Sequence, residues 1–254
     1  MAAAAFFDLD RTLLRRSSAL ALAGSFRERG LISRSQLAKA AAWQLLFVLY
    51  GASHEAVRRA AEDGLMVLRG STPDELRRLV AEALEPVLRP LVYAEPLYLV
   101  EQHRERGDAV YIVSATLQEI VQAIADDLGF DGALGTVCEV RDGAYTGHAV
   151  RALHAENKAL SVRELAATHG YDLGECTAYS DSHTDLPFLE TVGWPVAVNP
   201  DRELRRTAVE RGWPVIEFNT RAYPHARRRV PPLVWVTGAL FLAGVLAAGR
   251  RRAD

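Results

Sequence analysis

Two aspartates one residue apart, Asp8 and Asp10, follow an apolar run near the start of the chain, within the stretch FFDLDRTLL. The alanines and phenylalanines before Asp8 predict a buried strand that ends at this point. Two carboxylates held this close repel each other, and they are costly to bury unless a cation lies between them. The pair therefore predicts a cation site, such as a metal centre, at the end of the first strand.

Other polar side chains follow later predicted strands or lie on the helices between them. They are Ser114, followed by Ala115, after the apolar stretch AVYIV, Lys158 on a predicted helix, and Asp181 and Asp185 after CTAYS. Active sites of open α/β sheets form at the carboxyl ends of the strands. We therefore expect these side chains to converge on Asp8 and Asp10.

The pattern of apolar residues predicts strands that alternate with helices. Strands are predicted over residues 2–8, 109–114, 176–181, 195–199 and 214–218, helices over 95–106, 117–128, 155–169 and 187–192, and a hairpin over 136–148. This alternation implies a Rossmann-like α/β fold, in which a parallel sheet is covered by helices on both faces.

Residues 16–89 show helical periodicity and no strand pattern, which predicts an inserted all-α cap. One of its helices is expected to begin at Ser71 or Thr72. The predicted domains are a catalytic core over 1–14 and 91–222 and a cap over 15–90. Three aromatic residues share one helical face of the cap and form either its core or a lipid-binding patch: Trp43, Phe47 and Tyr50.

The composition argues against several classes of protein. A net charge of −2 is not typical of a nucleic-acid-binding protein. Cys138 and Cys176 are far apart and belong to no metal or disulfide motif, so we expect reduced thiols. No secretory signal peptide is predicted, because Asp8 and Asp10 interrupt the first apolar run.

The C-terminal part differs from the rest of the chain. Thr237 is the only polar side chain between Leu233 and Gly249, and arginine triplets lie on both sides of this run. We predict a C-terminal hydrophobic helix over 230–250 that crosses the cell membrane once. The catalytic domain is then expected on the cytoplasmic side.

Taken in order, the four groups of polar residues resemble the motifs of the haloacid dehalogenase superfamily. The likeness is to its phosphoserine-phosphatase-like branch (subfamily IB), with a helical cap inserted after the first strand, and it covers residues 5–218. It implies a Mg²⁺-dependent phosphatase that hydrolyses a phosphate monoester through an aspartyl-phosphate intermediate. A dehalogenase is not favoured, because Asp10 and Asp181 suit a metal-dependent phosphatase.

The resemblance and the chemistry of the side chains together give each residue an expected role. Asp8 is expected to be the nucleophile and a metal ligand, Asp10 to act as acid and base and to bind the metal through its carbonyl, and Asp181 to be a metal ligand. Asp185 is expected to position the metal or Lys158, and Lys158 to stabilise the transition state. Thr12, Ser114 and Ala115 are expected at the phosphoryl group, and Arg15 and Arg16 at a second anionic group. His183 is expected either to contact metal or substrate or to cap a loop.

Two positions depart from the pattern of phosphoserine phosphatases. Ser17 stands where those enzymes have a glutamate that holds the substrate amine, and Thr184 replaces an asparagine. Both departures weaken phosphoserine as the substrate.

The favoured hypothesis is a membrane-anchored phosphatase that acts on a phosphorylated small molecule or lipid precursor. The alternatives are a soluble small-metabolite phosphatase and a membrane-tethered binding protein that has lost catalysis. No oligomeric state is predicted.

Overall fold

The structure is a computed structural model that describes residues 2–30 and 65–223. Within these ranges the strands are β1 (Ala4–Phe7), β2 (Ala109–Leu117), β3 (Gly132–Arg141), β4 (Ala144–Arg151), β5 (Thr177–Ser180), β6 (Trp194–Val198) and β7 (Val215–Ile216). The helices are α1 (Ser18–Glu28), α2 (Pro73–Ala83), α3 (Ala94–Glu105), α4 (Gln118–Leu128), α5 (Glu156–His169), α6 (Leu186–Leu189) and α7 (Arg202–Arg211). Shorter helical turns span Leu84–Leu88, Arg89–Leu91 and His183–Asp185.

All these strands form one sheet in the order β4-β3-β2-β1-β5-β6-β7, with β1 at its centre. The pairs are parallel except for the β3–β4 hairpin, which is antiparallel. Phe7 of β1 lies beside Ile112 of β2 and Tyr179 of β5, so β1 and β5 end at nearly the same level, whereas β2 continues beyond them. Asp8 therefore follows β1 between β2 and the end of β5. The predicted Rossmann-like α/β sheet is confirmed.

The side chains of β1 alternate between two hydrophobic cores, one on each face of the sheet. Ala5 and Phe7 pack with residues of α2, α3 and α4, whereas Ala4 and Phe6 pack with residues of α5, α6 and α7. Successive side chains of a strand point to opposite faces, which explains why a strand covered on both faces is apolar throughout. Complete burial of each phenylalanine contributes about 1.5–3 kcal/mol, so β1 is firmly anchored where Asp8 begins.

The end of β2 differs from the prediction, which ended this strand at residue 114. β2 continues to Leu117, and between the pairs Val113–Leu134 and Leu117–Thr136 its residues 114–116 stand opposite Gly135 alone. Such a bulge bends the strand and redirects its side chains. Sequence periodicity does not detect it, because the residues on both sides of the bulge keep a strand conformation.

Other element ends agree with the prediction to within a few residues. Thr72 is the N-cap of α2, where its side chain accepts the Glu75 N–H and the Glu75 carboxylate accepts the Thr72 N–H. This capping box satisfies two helix donors that would otherwise lack partners. The predicted helix over 187–192 is shorter than expected and ends at Leu189.

Parts of the predicted cap and tail lie outside the described residues. They include Trp43, Phe47 and Tyr50 and the proposed membrane helix over 230–250. The all-α cap and the domain bounds therefore stay predictions, although α1 and α2, which flank the undescribed part, are helical. Among residues 2–30 and 65–223, no helix combines the length and the apolar character needed to cross a membrane.

Candidate active site

Lys158 lies between two carboxylates at the carboxyl edge of the sheet. Its Nζ atom is 2.7 Å from Asp8 Oδ1 and 2.6 Å from Asp185 Oδ2. The Ser180 hydroxyl also donates to Asp185 Oδ2, at 2.6 Å, and these residues are all buried. A buried ammonium is tolerated only when it is well paired, and this one has two anionic partners. The predicted convergence of Asp8, Lys158 and Asp185 is therefore present.

Helix α5 and the ring of Phe188 hold Lys158 in this position. Lys158 lies in the first turn of α5, and its Nζ atom is 4.7 Å from the centroid of the Phe188 ring. Burial by itself would lower the pKa of Lys158, but the Asp185 and Asp8 carboxylates raise it above its usual value. The side chain is therefore a permanent cation in the physiological pH range.

Asp8 and Asp181 form a second electrostatic pair, in which both members are acidic. Burial raises the pKa of Asp181 to about 8, with repulsion by Asp8 adding to the rise and Arg11 opposing it. Burial likewise raises the pKa of Asp8 to about 7, against the effect of Lys158 and with a further contribution from Asp185. The two carboxylates repel each other in a place with little water, which favours binding of an additional cation.

Arg11 partly compensates this repulsion from the solvent side. Its Nε atom lies 3.3 Å from Asp181 Oδ2, and most of its side chain is exposed. Arg11 has a φ of 67°, and the amides of Leu13 and Leu14 both donate to the Leu9 carbonyl, so the chain turns sharply just after β1. Arg11 was not predicted as a site residue, although its position directly after Asp10 placed it in the same loop.

Asp10 is held by the start of α1. The Ser18 N–H donates to Asp10 Oδ1 at 2.8 Å, and Ser17 is the N-cap whose side chain accepts the Leu20 N–H. Burial raises the pKa of Asp10 above its usual value, and the hydrogen bonds from Ser18 and Ser17 oppose this rise. A carboxyl group with a raised pKa is suited to giving up and recovering a proton near neutral pH.

Ser114 and Ala115 lie in the bulge of β2. Ser114 is buried and Ala115 is exposed, and the Thr116 N–H donates to Ser114 Oγ at 3.1 Å. Gly135 makes this arrangement possible, because a Cβ atom there would lie 2.7 Å from the Cα atom of Gln118. Only glycine allows the start of α4 to come this close to β3.

Thr12, two residues after Asp10, is also buried, and its hydroxyl has no hydrogen-bond partner within the described residues. Buried hydroxyls are normally satisfied, so an unpaired one at this position is compatible with a bound oxygen-rich ligand. Its predicted role at the phosphoryl group stays a prediction.

The donor set suits Mg²⁺, which prefers oxygen ligands and keeps several of its waters. The donors are the carboxylates of Asp8 and Asp181 and the backbone carbonyl of Asp10, whereas Asp185 is engaged with Lys158. Among residues 2–30 and 65–223, no three His, Cys, Asp or Glu side chains come close enough to hold a metal by themselves. A site of two carboxylates, one carbonyl and waters requires no such cage, and the mutual repulsion of Asp8 and Asp181 fits a divalent cation.

The remaining predicted residues lie in different surroundings. Arg15 donates to the Asn219 carbonyl at 3.0 Å and its guanidinium lies 5.3 Å from the centroid of the Tyr93 ring, whereas Arg16 is exposed. The backbone N–H of His183 donates to Asp201, and the Nδ1 atom of its ring is 3.5 Å from Glu203. Both alternatives for the His183 side chain stay predictions.

Comparison with known proteins identifies relatives along most of the chain. Residues 5–190 match a family described as haloacid dehalogenase-like hydrolase. A protein of Streptomyces azureus named "inhibition of morphological differentiation protein" is 39% identical over 264 residues, which cover 99% of this chain and 95% of the relative. A phosphoserine phosphatase of Mycobacterium tuberculosis is 37% identical over 250 residues, which cover 98% of this chain and 80% of the relative.

A solved structure has the same fold. It is a protein of unknown function from Bordetella pertussis, with a TM-score of 0.74 and 32% sequence identity, and the match covers 85% of this chain and 98% of that one.

Proposed function

The chain belongs to the haloacid dehalogenase-like hydrolases and is a phosphoric monoester hydrolase, and we propose that it works through a phosphoryl group carried on Asp8. The observation that supports this mechanism best is the buried group formed by Asp8, Lys158 and Asp185. Lys158 orients the Asp8 carboxylate and opposes the rise that burial causes in its pKa, which favours the ionised form that a nucleophile requires.

In the first half-reaction, a carboxylate oxygen of Asp8 attacks the phosphorus atom and the bond from phosphorus to the leaving oxygen breaks. Asp10 donates its proton to that oxygen, so the alcohol leaves neutral. Lys158 balances the negative charge that gathers on Asp8 and the phosphoryl oxygens. Ser114 and the N–H of Ala115 hold these oxygens at the end of β2.

In the second half-reaction, Asp10 takes a proton from a water molecule, whose oxygen attacks the phosphorus atom of the aspartyl-phosphate. The bond between phosphorus and Asp8 breaks and inorganic phosphate leaves. Asp10 regains the proton that it gave away, and Asp8 returns to a carboxylate paired with Lys158. Raised pKa values at buried carboxyls of this kind allow one group to act first as acid and then as base.

Mg²⁺ is the proposed cofactor, with Asp8, Asp181 and the carbonyl of Asp10 as its protein ligands. When bound, it reduces the repulsion between the anionic nucleophile and the anionic substrate. In this proposal Asp185 does not bind the metal. It accepts hydrogen bonds from Lys158 and Ser180, and in this way it orients Lys158.

The proposed substrate is a phosphorylated small molecule. One relative is named a phosphoserine phosphatase, but Ser17 offers no carboxylate for a substrate amine, and its hydroxyl is already used as the N-cap of α1. We therefore favour a phosphate monoester other than phosphoserine. Arg15, which is half-buried, and Arg16, which is exposed, follow the catalytic loop and are the candidates for contacting a second anionic group.

Phosphate release tests the proposal on the full-length protein. Hydrolysis of p-nitrophenyl phosphate should stop after treatment with EDTA and return with added Mg²⁺. A panel of phosphorylated metabolites and lipid precursors then identifies the substrate class. Hydrolysis that EDTA does not affect would contradict the metal requirement. A protein with no phosphatase activity would instead support the alternative of a binding protein that has lost catalysis.

We also propose that the segment 230–250 anchors the protein in the cell membrane, with the catalytic domain in the cytoplasm. Its support is the run from Leu233 to Gly249, which at 1.5 Å per residue spans about 26 Å of a hydrocarbon core of roughly 30 Å. Full-length protein should sediment with membranes and resist carbonate extraction, whereas a chain ending at Tyr223 should not. Full-length protein in the soluble fraction would instead support the soluble-phosphatase alternative.

A further inference from the structure

The first residue of α1 connects two separate parts of the active site. The Ser18 N–H donates to Asp10 Oδ1 at 2.8 Å, and Ser18 Oγ lies 3.1 Å from Thr116 Oγ1. The Thr116 N–H in turn donates to Ser114 Oγ at 3.1 Å. A chain of hydrogen bonds therefore runs from the loop after β1, through the start of α1, to the bulge of β2.

The connection is partly shielded from water. Ser18 is completely buried and Ser114 is nearly so, whereas Thr116 is half-buried. The N-cap Ser17 fixes the first turn of α1, and the Ser18 N–H is one of the helix donors that have no partner within the helix. Hydrogen bonds in such surroundings are stronger than exposed ones and hold their groups in narrower geometry.

The directions of these hydrogen bonds suit the proposed chemistry. A backbone N–H can only donate, so Ser114 Oγ accepts from Thr116 and its own proton remains available for a phosphoryl oxygen. In the same way, Asp10 Oδ1 accepts from Ser18 and leaves Oδ2 for proton transfer to the leaving group. Both catalytic groups are thus oriented from one helix start.

We propose that Ser18 and Thr116 are positioning residues that keep Asp10 and Ser114 in one mutual arrangement. The proposal rests on the proposed function, because it assumes the acid role of Asp10 and the phosphate-binding role of Ser114. The proposal states that proton transfer by Asp10 and phosphate binding by Ser114 are coupled through the hydroxyls of Ser18 and Thr116. Loss of either hydroxyl should disturb both functions, although neither hydroxyl touches the substrate.

The test uses two substitutions that delete one hydroxyl each and keep every backbone donor. Ser18→Ala retains the N–H to Asp10, and Thr116→Val retains both the shape of the side chain and the N–H to Ser114. Ser25→Ala, a serine on the same helix outside the chain of hydrogen bonds, is the matched control. Thr116→Ser keeps the hydroxyl and serves as the rescue variant.

Two readouts separate the two ends of the connection. The ratio of kcat/KM for an alkyl phosphate to kcat/KM for p-nitrophenyl phosphate reports on the acid role of Asp10, because the phenolate leaves without a proton and kcat/KM does not include hydrolysis of the aspartyl-phosphate. The inhibition constant of inorganic phosphate reports on Ser114. Each single variant should lower the ratio and weaken phosphate inhibition by about fivefold, the size expected for one buried hydrogen bond. The double variant should be no worse than either single variant, since both delete the same interaction.

The control and the rescue variant should match the wild-type protein in both readouts, with thermal unfolding as a check on folding. Losses that add up in the double variant, a change in only one readout, or a Thr116→Ser protein that resembles Thr116→Val would overturn the proposal. If neither the wild type nor Ser25→Ala showed metal-dependent hydrolysis, the proposed function itself would be rejected, and this proposal with it.

Discussion

Lys158 Nζ lies 2.7 Å from Asp8 Oδ1, although 150 positions separate the two residues in the sequence. The chain has only two lysines, Lys39 and Lys158, and uses arginine for almost every other basic residue. A compact ammonium can fit between Asp8 and Asp185, whereas a planar guanidinium is larger and has a different hydrogen-bond geometry. The use of a lysine here is thus explained by the space between the two carboxylates.

Replacement of Lys158 by methionine should destabilise the protein and abolish activity. The substitution leaves Asp8 and Asp185 buried without their cation, and breaking a buried ion pair in this way costs about 3–5 kcal/mol. Chemical denaturation measures the loss. The additional change Asp185→Asn should recover part of the stability, because it removes one of the unpaired charges, but no activity. A double variant less stable than Lys158→Met would contradict this account of the pairing.

Replacement of Asp10 by asparagine should affect substrates according to their leaving groups. The variant keeps the hydrogen bond from the Ser18 N–H but has no proton to transfer. The value of kcat/KM for an alkyl phosphate should fall by about 10²–10⁴-fold, and that for p-nitrophenyl phosphate by clearly less, because its phenolate leaves unprotonated and kcat/KM does not include the later hydrolysis of the aspartyl-phosphate. Equal losses on both substrates would argue against an acid role for Asp10.

The central part of the site was predictable from sequence because parallel strands bring their carboxyl ends to one edge. Asp8, Lys158 and Asp185 were expected together and are together. Ser18 and Ser180 were given no role, because neither occupies the position of a recognised motif as Ser114 does. Their roles depend on the start of α1 and on the hydrogen bond from Ser180 to Asp185.

The bulge at the end of β2 could not be predicted because it depends on packing between residues that are distant in the sequence. It arises from the close approach of Gln118 and Gly135, which are 17 positions apart. The contacts of Arg15 could not be predicted either, because its guanidinium lies against Asn219 and Tyr93, which are far away in the sequence. Its predicted role at a second anionic group stays a prediction.

A buried histidine should make stability depend on pH. His103 on α3 accepts or donates hydrogen bonds at 2.8 Å with Asp108 and at 2.9 Å with Tyr179, which stacks on Phe7 of β1. Burial lowers the pKa of His103 below its usual value, although Asp108 opposes the effect. Below about pH 6.5 the unfolded chain therefore takes up a proton that the folded protein binds less readily, and this contribution to stability is lost as the pH falls.

The comparison of wild type with His103→Gln isolates this contribution from other titrating groups. The free energy of unfolding of the wild type should exceed that of the variant by more at pH 7.5 than at pH 5. The reason for using a difference is that burial also lowers the pKa of His154 and raises those of Asp8 and Asp181. A difference that stays constant between the two pH values would contradict the assignment to His103.

The covalent step on Asp8 is the central claim, and a rapid acid quench during turnover tests it most directly. Mass spectrometry of the quenched full-length protein should find one added phosphoryl group on the peptide that contains Asp8, in the presence of Mg²⁺ and substrate. The nearly isosteric Asp8→Asn protein should fold normally, hydrolyse nothing and carry no such group. Normal turnover by Asp8→Asn, or a phosphoryl group found on another residue during turnover, would contradict the mechanism.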